Sequence, residues 1–171
     1  MKRFAVVALL SIASLSAVAE VPQAYETIGE SHGIPPVLFY ALALTESEGP
    51  GLQRPWPWTA NVNGQGLYFA SREALYRYLD NLRGQGRTSF DIGPGQINWR
   101  WNGHRFASLW EATDPYTNLK TAAAMLQVYY RESGSLELAI GRYHAPNDPV
   151  RAGRYRERVR SRLALVLEGK R

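Results

Sequence analysis

Eight consecutive apolar or aromatic residues, at positions 37–44, constrain the fold of this chain more than any other feature. Pro35 and Pro36 precede them, and proline is well tolerated in the first turn of a helix. A helix that is apolar on every side is buried in a protein core. The segment therefore predicts a central helix, which ends at the polar residues 45–48 because glycine and proline follow at 49–51.

Glu46, at the end of this helix, is the candidate for a catalytic residue. It follows Leu42 by four positions and Phe39 by seven, so the three side chains share one helix face. Burial and the negative end of the helix dipole both disfavour the carboxylate and raise the pKa of the acid. A glutamic acid that stays protonated near neutral pH can donate a proton to a glycosidic oxygen. The alternative is a surface glutamate at a frayed helix end, and Glu48 is expected to be more exposed than Glu46.

The rest of the pattern predicts one domain of the α+β class that is mainly α. Residues 52–70 are rich in aromatic side chains, and the Asn63-Gly64 turn within them predicts a small β-hairpin. A short strand at 88–92 and a turn at 93–95 complete the predicted β part. Further helices are predicted at residues 21–32, 72–83, 115–130, 136–143 and 150–167.

Residues 1–19 have the pattern of a secretory signal peptide. Lys2 and Arg3 form its positive start, residues 4–15 are apolar apart from two serines, and Ala17 and Ala19 form a small-x-small cleavage site. The apolar stretch is too short to span a bilayer stably. We therefore expect export to the periplasm and a mature domain of residues 20–171 with no membrane anchor, the alternative being an uncleaved N-terminal anchor.

Composition excludes several classes of site and partner. The chain has no cysteine, which excludes disulfides, thiolate catalysis and cysteine-based zinc sites. Removal of Lys2 and Arg3 from the 20 basic residues leaves 18 against 15 acidic ones, a net charge of +3. Such a mild charge suits an anionic wall surface but is unlike that of a dedicated nucleic-acid-binding protein.

Three short motifs follow one another along the chain. They are Glu46-Ser47, the Asp-Ile-Gly-Pro-Gly-Gln-Ile-Asn segment at 91–98, and the Gly-Arg-Tyr-His-Ala segment at 141–145. In these motifs and their order the chain resembles the soluble lytic transglycosylase family, which shares its fold with goose-type lysozyme. The resemblance covers residues 22–165 and departs from the family pattern at Pro94, Gly95 and His144, where Leu, Met and Asn are usual.

The resemblance implies a lysozyme-like fold and a reaction on peptidoglycan glycan strands. Glu46 would protonate the bond between N-acetylmuramic acid and N-acetylglucosamine, then act as base on the muramyl C6 hydroxyl, with no metal or cofactor. The product would carry a 1,6-anhydro end. The long segment at 49–88 is similar to that of members associated with secretion or conjugation machinery, which would make such an envelope complex a partner.

The resemblance also assigns roles around Glu46. Tyr143 would orient Glu46 through its hydroxyl, and Ser47 would position either Glu46 or a sugar. Gln96 and Asn98 would bind acetamido or hydroxyl groups of the substrate.

Two further residues are each given two interpretations. Asp91 either supports the cationic transition state electrostatically or only caps a turn. His144 either replaces the family's Asn as a hydrogen-bond donor or is structural.

Aromatic and basic clusters outside the motifs allow two interpretations each. Trp56, Trp58, Tyr68 and Phe69 form either a wall for sugars or a small satellite core. Trp99 and Trp101 alternate across Arg100 and could serve either purpose. The arginine-rich residues 151–162 are expected to be a solvated face, which could also contact anionic wall polymers or a secretion partner.

Two other functions remain open from the sequence. A muramidase-type hydrolase would use the same fold and the same acid, with water in place of the C6 hydroxyl. A non-catalytic protein that binds peptidoglycan during assembly of an envelope complex is the second, although such a protein has no need for an acid at a buried helix end.

Overall fold

The computed structural model describes residues 21–169, so the predicted signal peptide lies outside the described residues. The described chain is mainly helical with one small antiparallel sheet, as the predicted α+β class requires. None of its helices combines the length and apolar character needed to cross a bilayer. The elements are α1 (Gln23–Ser31), α2 (Pro36–Ser47), β1 (Thr59–Val62), β2 (Gln65–Tyr68), α3 (Arg72–Gly84), β3 (Phe90–Ile92), β4 (Ile97–Asn98), α4 (Trp99–Asn102), a 3₁₀ turn (Gly103–Arg105), α5 (Leu109–Ala112), α6 (Pro115–Ser133), α7 (Leu136–His144) and α8 (Pro149–Leu167).

The central helix α2 is buried, as its apolar run predicts. Phe39, Leu42 and Leu44 are almost inaccessible to solvent, and α2 packs against both α1 and α8. Burial of each such side chain contributes about 1.5–3 kcal/mol relative to an exposed position. The C-terminal end of α2, which carries Glu46, is therefore held in a fixed position inside the domain.

The sheet has the strand order β2-β1-β3-β4, with every neighbouring pair antiparallel. β1 and β2 form the predicted hairpin, and β3 extends it. Asn61 on β1 stands opposite Asp91 on β3, which in turn stands opposite Asn98 on β4. Directly opposed residues share one face of a sheet. The pairing thus forms a row of three polar side chains across the sheet.

Helix α7 packs against both α6 and α8, and α8 packs against α2, which completes the helical part. The side chains of Asp114, Ser135 and Asp148 cap their N-termini by accepting hydrogen bonds from backbone amides. α6 ends at Gly134, which adopts a left-handed conformation with φ of 66°. These caps are local signals, which explains why the sequence predicts where the three helices begin.

The region after the 93–95 turn contains two elements that the sequence pattern did not predict. Residues 97–98 form strand β4, and residues 99–102 form the short helix α4, which Asn98 caps by accepting a hydrogen bond from the Trp101 amide. Trp99 and Trp101 therefore lie on one short helical turn. Trp99 packs against the core, whereas Trp101 is 68% exposed.

The Trp-rich segment forms a satellite core beside the sheet. The indole N–H of Trp56 donates to the Phe69 carbonyl oxygen at 2.8 Å, and the Trp56 and Trp58 rings meet edge to face at 6.5 Å. The Phe69 ring packs against Tyr78. Of the two interpretations of this segment, the structure favours the packing one.

Candidate active site

A cavity of about 590 Å³ lies between the sheet and the helices at the end of α2. Residues from all three sequence motifs line it. The first motif contributes Glu46, the second contributes several residues between 91 and 98, and the third contributes Tyr143 and His144. Its lining residues are Thr45, Glu46, Asn61, Asp91, Gln96, Ile97, Asn98, Trp101, Asn102, Met125, Tyr143, His144, Arg151 and Arg158.

Glu46 is the most strongly perturbed acid in this cavity. Its side chain is 12% exposed, and burial raises the pKa of its carboxyl group from 4.5 to about 7. A hydrogen-bonding interaction with Tyr155 and the charge of Arg158 oppose this rise in pKa, while the charge of Asp91 adds to it. Desolvation is the dominant cause, as the position of Glu46 on the buried face of α2 predicts. Near neutral pH this carboxyl group can therefore both hold and release a proton.

Tyr155 and His144 lie side by side next to Glu46. Their rings stack in parallel with centroids 4.4 Å apart, and His144 Nδ1 lies 4.0 Å from Glu46 Oε1. The buried Tyr155 hydroxyl makes no hydrogen bond of ordinary length within residues 21–169, yet it is near enough to Glu46 to lower the pKa of that carboxyl group. Tyr155 is therefore the hydroxyl that can orient Glu46.

Tyr143 does not take the role that the resemblance implies. Its hydroxyl donates to the Gly95 carbonyl oxygen at 2.5 Å, so it supports the turn opposite α2 instead of orienting Glu46 directly. Tyr143 still lines the cavity, and the nearby charge of Glu46 contributes, after burial, to the raised pKa of its phenol. The structure thus brings Tyr143 to the same cavity as Glu46, but its hydroxyl bonds to Gly95 and not to Glu46.

Of the two roles predicted for Ser47, the structure excludes contact with a sugar. Its side chain is 2% exposed and does not line the cavity. The hydroxyl shares its proton between the carbonyl oxygens of Ala43, at 2.8 Å, and Pro94, at 3.1 Å. Because both contacts are buried, Ser47 cannot reach a sugar. It links the end of α2 to the 93–95 turn and so acts on Glu46 only through the backbone.

Asp91 lies in the cavity on β3, where it can influence Glu46. Burial raises the pKa of the Asp91 carboxyl group, and a hydrogen bond from the Asn98 amide at 2.8 Å partly offsets the rise. No backbone amide donor to Asp91 is found among the described residues, which disfavours a role limited to capping the turn. The cavity thus contains a second carboxyl group beside the acid on α2.

Asn98 and Gln96 line the cavity, but the side chain of each already forms hydrogen bonds with other groups of the protein. The Asn98 amide donates to Asp91, and its oxygen accepts from the Trp101 amide. Gln96 adopts a positive φ of 45°, and its side-chain amide donates to the Gly93 carbonyl oxygen at 2.9 Å. The Gln96 amide group retains an oxygen and a second hydrogen for a ligand. Substrate contact thus fits Gln96 better than Asn98.

Asn118, a fully buried residue of α6, holds the turn that carries Gln96. Its amide nitrogen donates to the carbonyl oxygens of Ile92 and Ala112, and its oxygen accepts from the Gly95 amide at 2.8 Å. A Cβ at Gly93 would come within 2.7 Å of the Asn118 side chain. The close approach of the turn to α6 therefore requires glycine at position 93.

Three residues of α8 contribute to the site although they lie outside the three sequence motifs. Arg151, Tyr155 and Arg158 are spaced four and three residues apart, which places them on one face of a helix. Arg151 and Arg158 line the cavity, and Tyr155 lies buried beside Glu46. The arginine-rich segment was expected to be a solvated face. The i, i+4, i+7 pattern with a tyrosine at its centre was the signal that could have identified them.

The aromatic residues divide between the site and the core. Trp101 lines the cavity and is largely exposed, so its ring is available to a ligand. Trp56, Trp58, Tyr68 and Phe69 are not among the lining residues. Residues 21–169 contain no group of three or more His, Asp or Glu side chains arranged to hold a metal ion.

Comparison of the chain with protein-family models, with curated proteins and with solved structures gave no match. Function is therefore inferred from the chemistry of the cavity together with the sequence motifs.

The raised pKa of Glu46 predicts how stability depends on pH. Between pH 4.5 and about 7 the folded protein binds this proton more tightly than the unfolded chain does, so stability falls as pH rises through that range. Glu46→Gln removes this loss. We expect the variant to gain about 2–3 kcal/mol over the wild type between pH 5 and pH 8, measured by urea unfolding at both values. Equal pH dependence in the two proteins would contradict the raised pKa.

Proposed function

We propose that the protein is a peptidoglycan lytic transglycosylase with a lysozyme-like fold and Glu46 as its catalytic acid and base. The observation that carries the proposal is the buried Glu46 carboxyl group with a pKa of about 7, at the wall of a cavity lined by polar side chains. Such a group is suited to glycosidic cleavage because it is partly protonated at neutral pH. The ordered motifs around Glu46, Gln96 and Tyr143 support the same conclusion.

The proposed reaction begins with proton transfer from Glu46 to the glycosidic oxygen. The bond from that oxygen to the anomeric carbon of N-acetylmuramic acid breaks, and N-acetylglucosamine leaves with the proton. The ionised Glu46 then takes the proton of the muramyl C6 hydroxyl. At the same time the C6 oxygen attacks the anomeric carbon. This closes the 1,6-anhydro ring and returns Glu46 to its protonated form.

The surroundings of Glu46 suit both halves of this reaction. A negative charge on Asp91 would favour a positive charge that develops at the anomeric carbon. Arg158 and Tyr155 both favour the ionised form of Glu46, which must exist between the two proton transfers. The fixed end of α2 keeps the carboxyl group in one place throughout, so little reorganisation is needed.

A hydrolase of the muramidase type is the second candidate, and the position of Asp91 favours it. Glycosidases commonly use two carboxyl groups, one as acid and one as nucleophile or base. Asp91 shares the cavity with Glu46 and raises its pKa, so a two-carboxylate reaction with water fits the same residues. The two functions differ in whether the muramyl C6 hydroxyl or a water molecule attacks the anomeric carbon.

Digestion of purified sacculi separates these functions. We expect the wild-type protein to release muropeptides with 1,6-anhydro ends, which mass spectrometry distinguishes from hydrolysed ends because they are lighter by one water molecule. Reducing ends would instead assign the protein as a hydrolase. If no fragments are released while the protein still sediments with sacculi, it is a non-catalytic peptidoglycan-binding protein.

Export to the periplasm and a role in a secretion or conjugation complex belong to the same proposal. The signal-like residues 1–19 and the mild positive charge of the remaining chain support an action at the cell wall. No nucleic acid, metal or cofactor has a part in the proposed reaction.

A further inference from the structure

Two arginines on α8 line the cavity without a carboxylate partner. Arg151 and Arg158 are exposed at the cavity, two helical turns apart on one face of α8. Arg158 donates one hydrogen bond to the Thr45 carbonyl oxygen at 3.3 Å, which places its guanidinium group beside Glu46. Within residues 21–169, neither arginine forms an ion pair.

Other arginines of the same helix are paired. Arg160 forms ion pairs with Glu137 and Glu157, and Arg162 forms one with Glu48. Neither Arg160 nor Arg162 lines the cavity, whereas Arg151 and Arg158 do. Arg154 and Arg156 also form no ion pair within residues 21–169, but neither lines the cavity, so Arg151 and Arg158 are the arginines of α8 whose free donors face a ligand there.

The positive charges of Arg151 and Arg158 both act on His144. His144, which lies between α2 and α8 at the cavity wall, has a pKa lowered first by burial and then by the positive charges of Arg151 and Arg158. Each guanidinium group carries five N–H donors, of which Arg158 uses one on the protein in the bond to Thr45. These forked donors match the geometry of a carboxylate or a phosphate, and the carboxylate is the one of the two that a peptidoglycan glycan carries on its muramyl units.

We propose that Arg151 and Arg158 form a carboxylate-binding subsite beside Glu46, which takes the anionic substituent of the glycan. The inference rests on the proposed function, and it deepens that function by naming the substrate class as acidic glycans. N-acetylmuramic acid carries a lactyl group, which either ends in a carboxylate or is extended by a peptide that carries carboxylates. Polymers of N-acetylglucosamine have neither, so they lack the group that this subsite binds.

Binding to catalytically inactive protein tests the subsite. Calorimetry on purified Glu46→Gln protein would compare a disaccharide-tetrapeptide, a peptide-free glycan with lactyl carboxylates, and neutral chitotetraose. We expect Arg151→Gln and Arg158→Gln, each added to this background, to weaken binding of a carboxylate ligand about tenfold and to leave chitotetraose binding unchanged. Arg154→Gln is the matched control, since Arg154 is exposed on the same helix and does not line the cavity.

The three ligands also identify the source of the carboxylate. Weaker binding of both acidic ligands assigns the subsite to the lactyl position, whereas weaker binding of the disaccharide-tetrapeptide alone assigns it to the peptide stem. Equal weakening of chitotetraose, or no change in any ligand, would overturn the subsite. The calorimetry measures binding without turnover. Its result can therefore be interpreted even if the protein does not cleave sacculi.

Discussion

Replacement of Glu46 by glutamine is expected to lower the release of soluble fragments from sacculi by about 10²–10⁴-fold. The amide keeps the shape of the side chain but can neither donate the proton to the glycosidic oxygen nor accept one from the C6 hydroxyl. The folded structure should persist, because glutamine relieves the cost of an ionised group at a buried position. Mass spectrometry of the soluble fraction over time, with circular dichroism of each protein, provides the measurement.

Glu48→Gln is the matched control for this experiment. Glu48 lies two residues further along, pairs with Arg162 and does not line the cavity. Loss of this partly exposed ion pair should cost at most about 1 kcal/mol and leave fragment release close to the wild-type rate. Equal release by the wild type and Glu46→Gln would refute the central assignment. A comparable loss in Glu48→Gln would show that the end of α2 matters for folding and not for chemistry.

Asn118→Leu is expected to produce the largest loss of stability, about 3–5 kcal/mol. The substitution removes the partners of the Gly95 amide and of the Ile92 and Ala112 carbonyl oxygens at a site with no solvent access. Each buried group left without a partner costs about 1–3 kcal/mol. Activity should fall as well, because the turn that Asn118 holds carries Gln96 into the cavity.

Urea unfolding at constant pH measures this effect, with Thr121→Val as control. The Thr121 hydroxyl bonds only to the carbonyl oxygen of Thr117, one turn earlier on α6. Its removal should change the free energy of unfolding by less than about 1 kcal/mol. If Asn118→Leu cost no more than the control, the polar anchoring of the turn would contribute little to stability.

Local signals made much of the helical part predictable. The apolar run at 37–44 marked the buried helix, and the spacing of Phe39, Leu42 and Glu46 placed the acid on its buried face. Asp114 and Pro115 marked the start of α6 because a capping side chain and a first-turn proline act within a single turn. These interactions depend on neighbours in the chain, so they can be read from the sequence.

The roles of hydroxyl groups could not be predicted in the same way. Tyr143 and Tyr155 both reach the region of Glu46, but the first bonds to Gly95 and only the second faces the acid. Which hydroxyl meets which partner depends on how α7 and α8 dock against α2. The same docking turns Arg151 and Arg158 toward the cavity, while Arg160 and Arg162 pair with carboxylates elsewhere.

By itself, the sequence determined the mainly α class, the approximate starts of the longer helices, the hairpin and the presence of one acid on a buried helix face. The tertiary structure decided what that acid touches. The pKa of Glu46 depends on desolvation by packed segments and on Tyr155, Arg158 and Asp91, which come from other parts of the chain. Electrostatic effects follow distance in space, and that distance is set only when the sheet and α8 close around the end of α2.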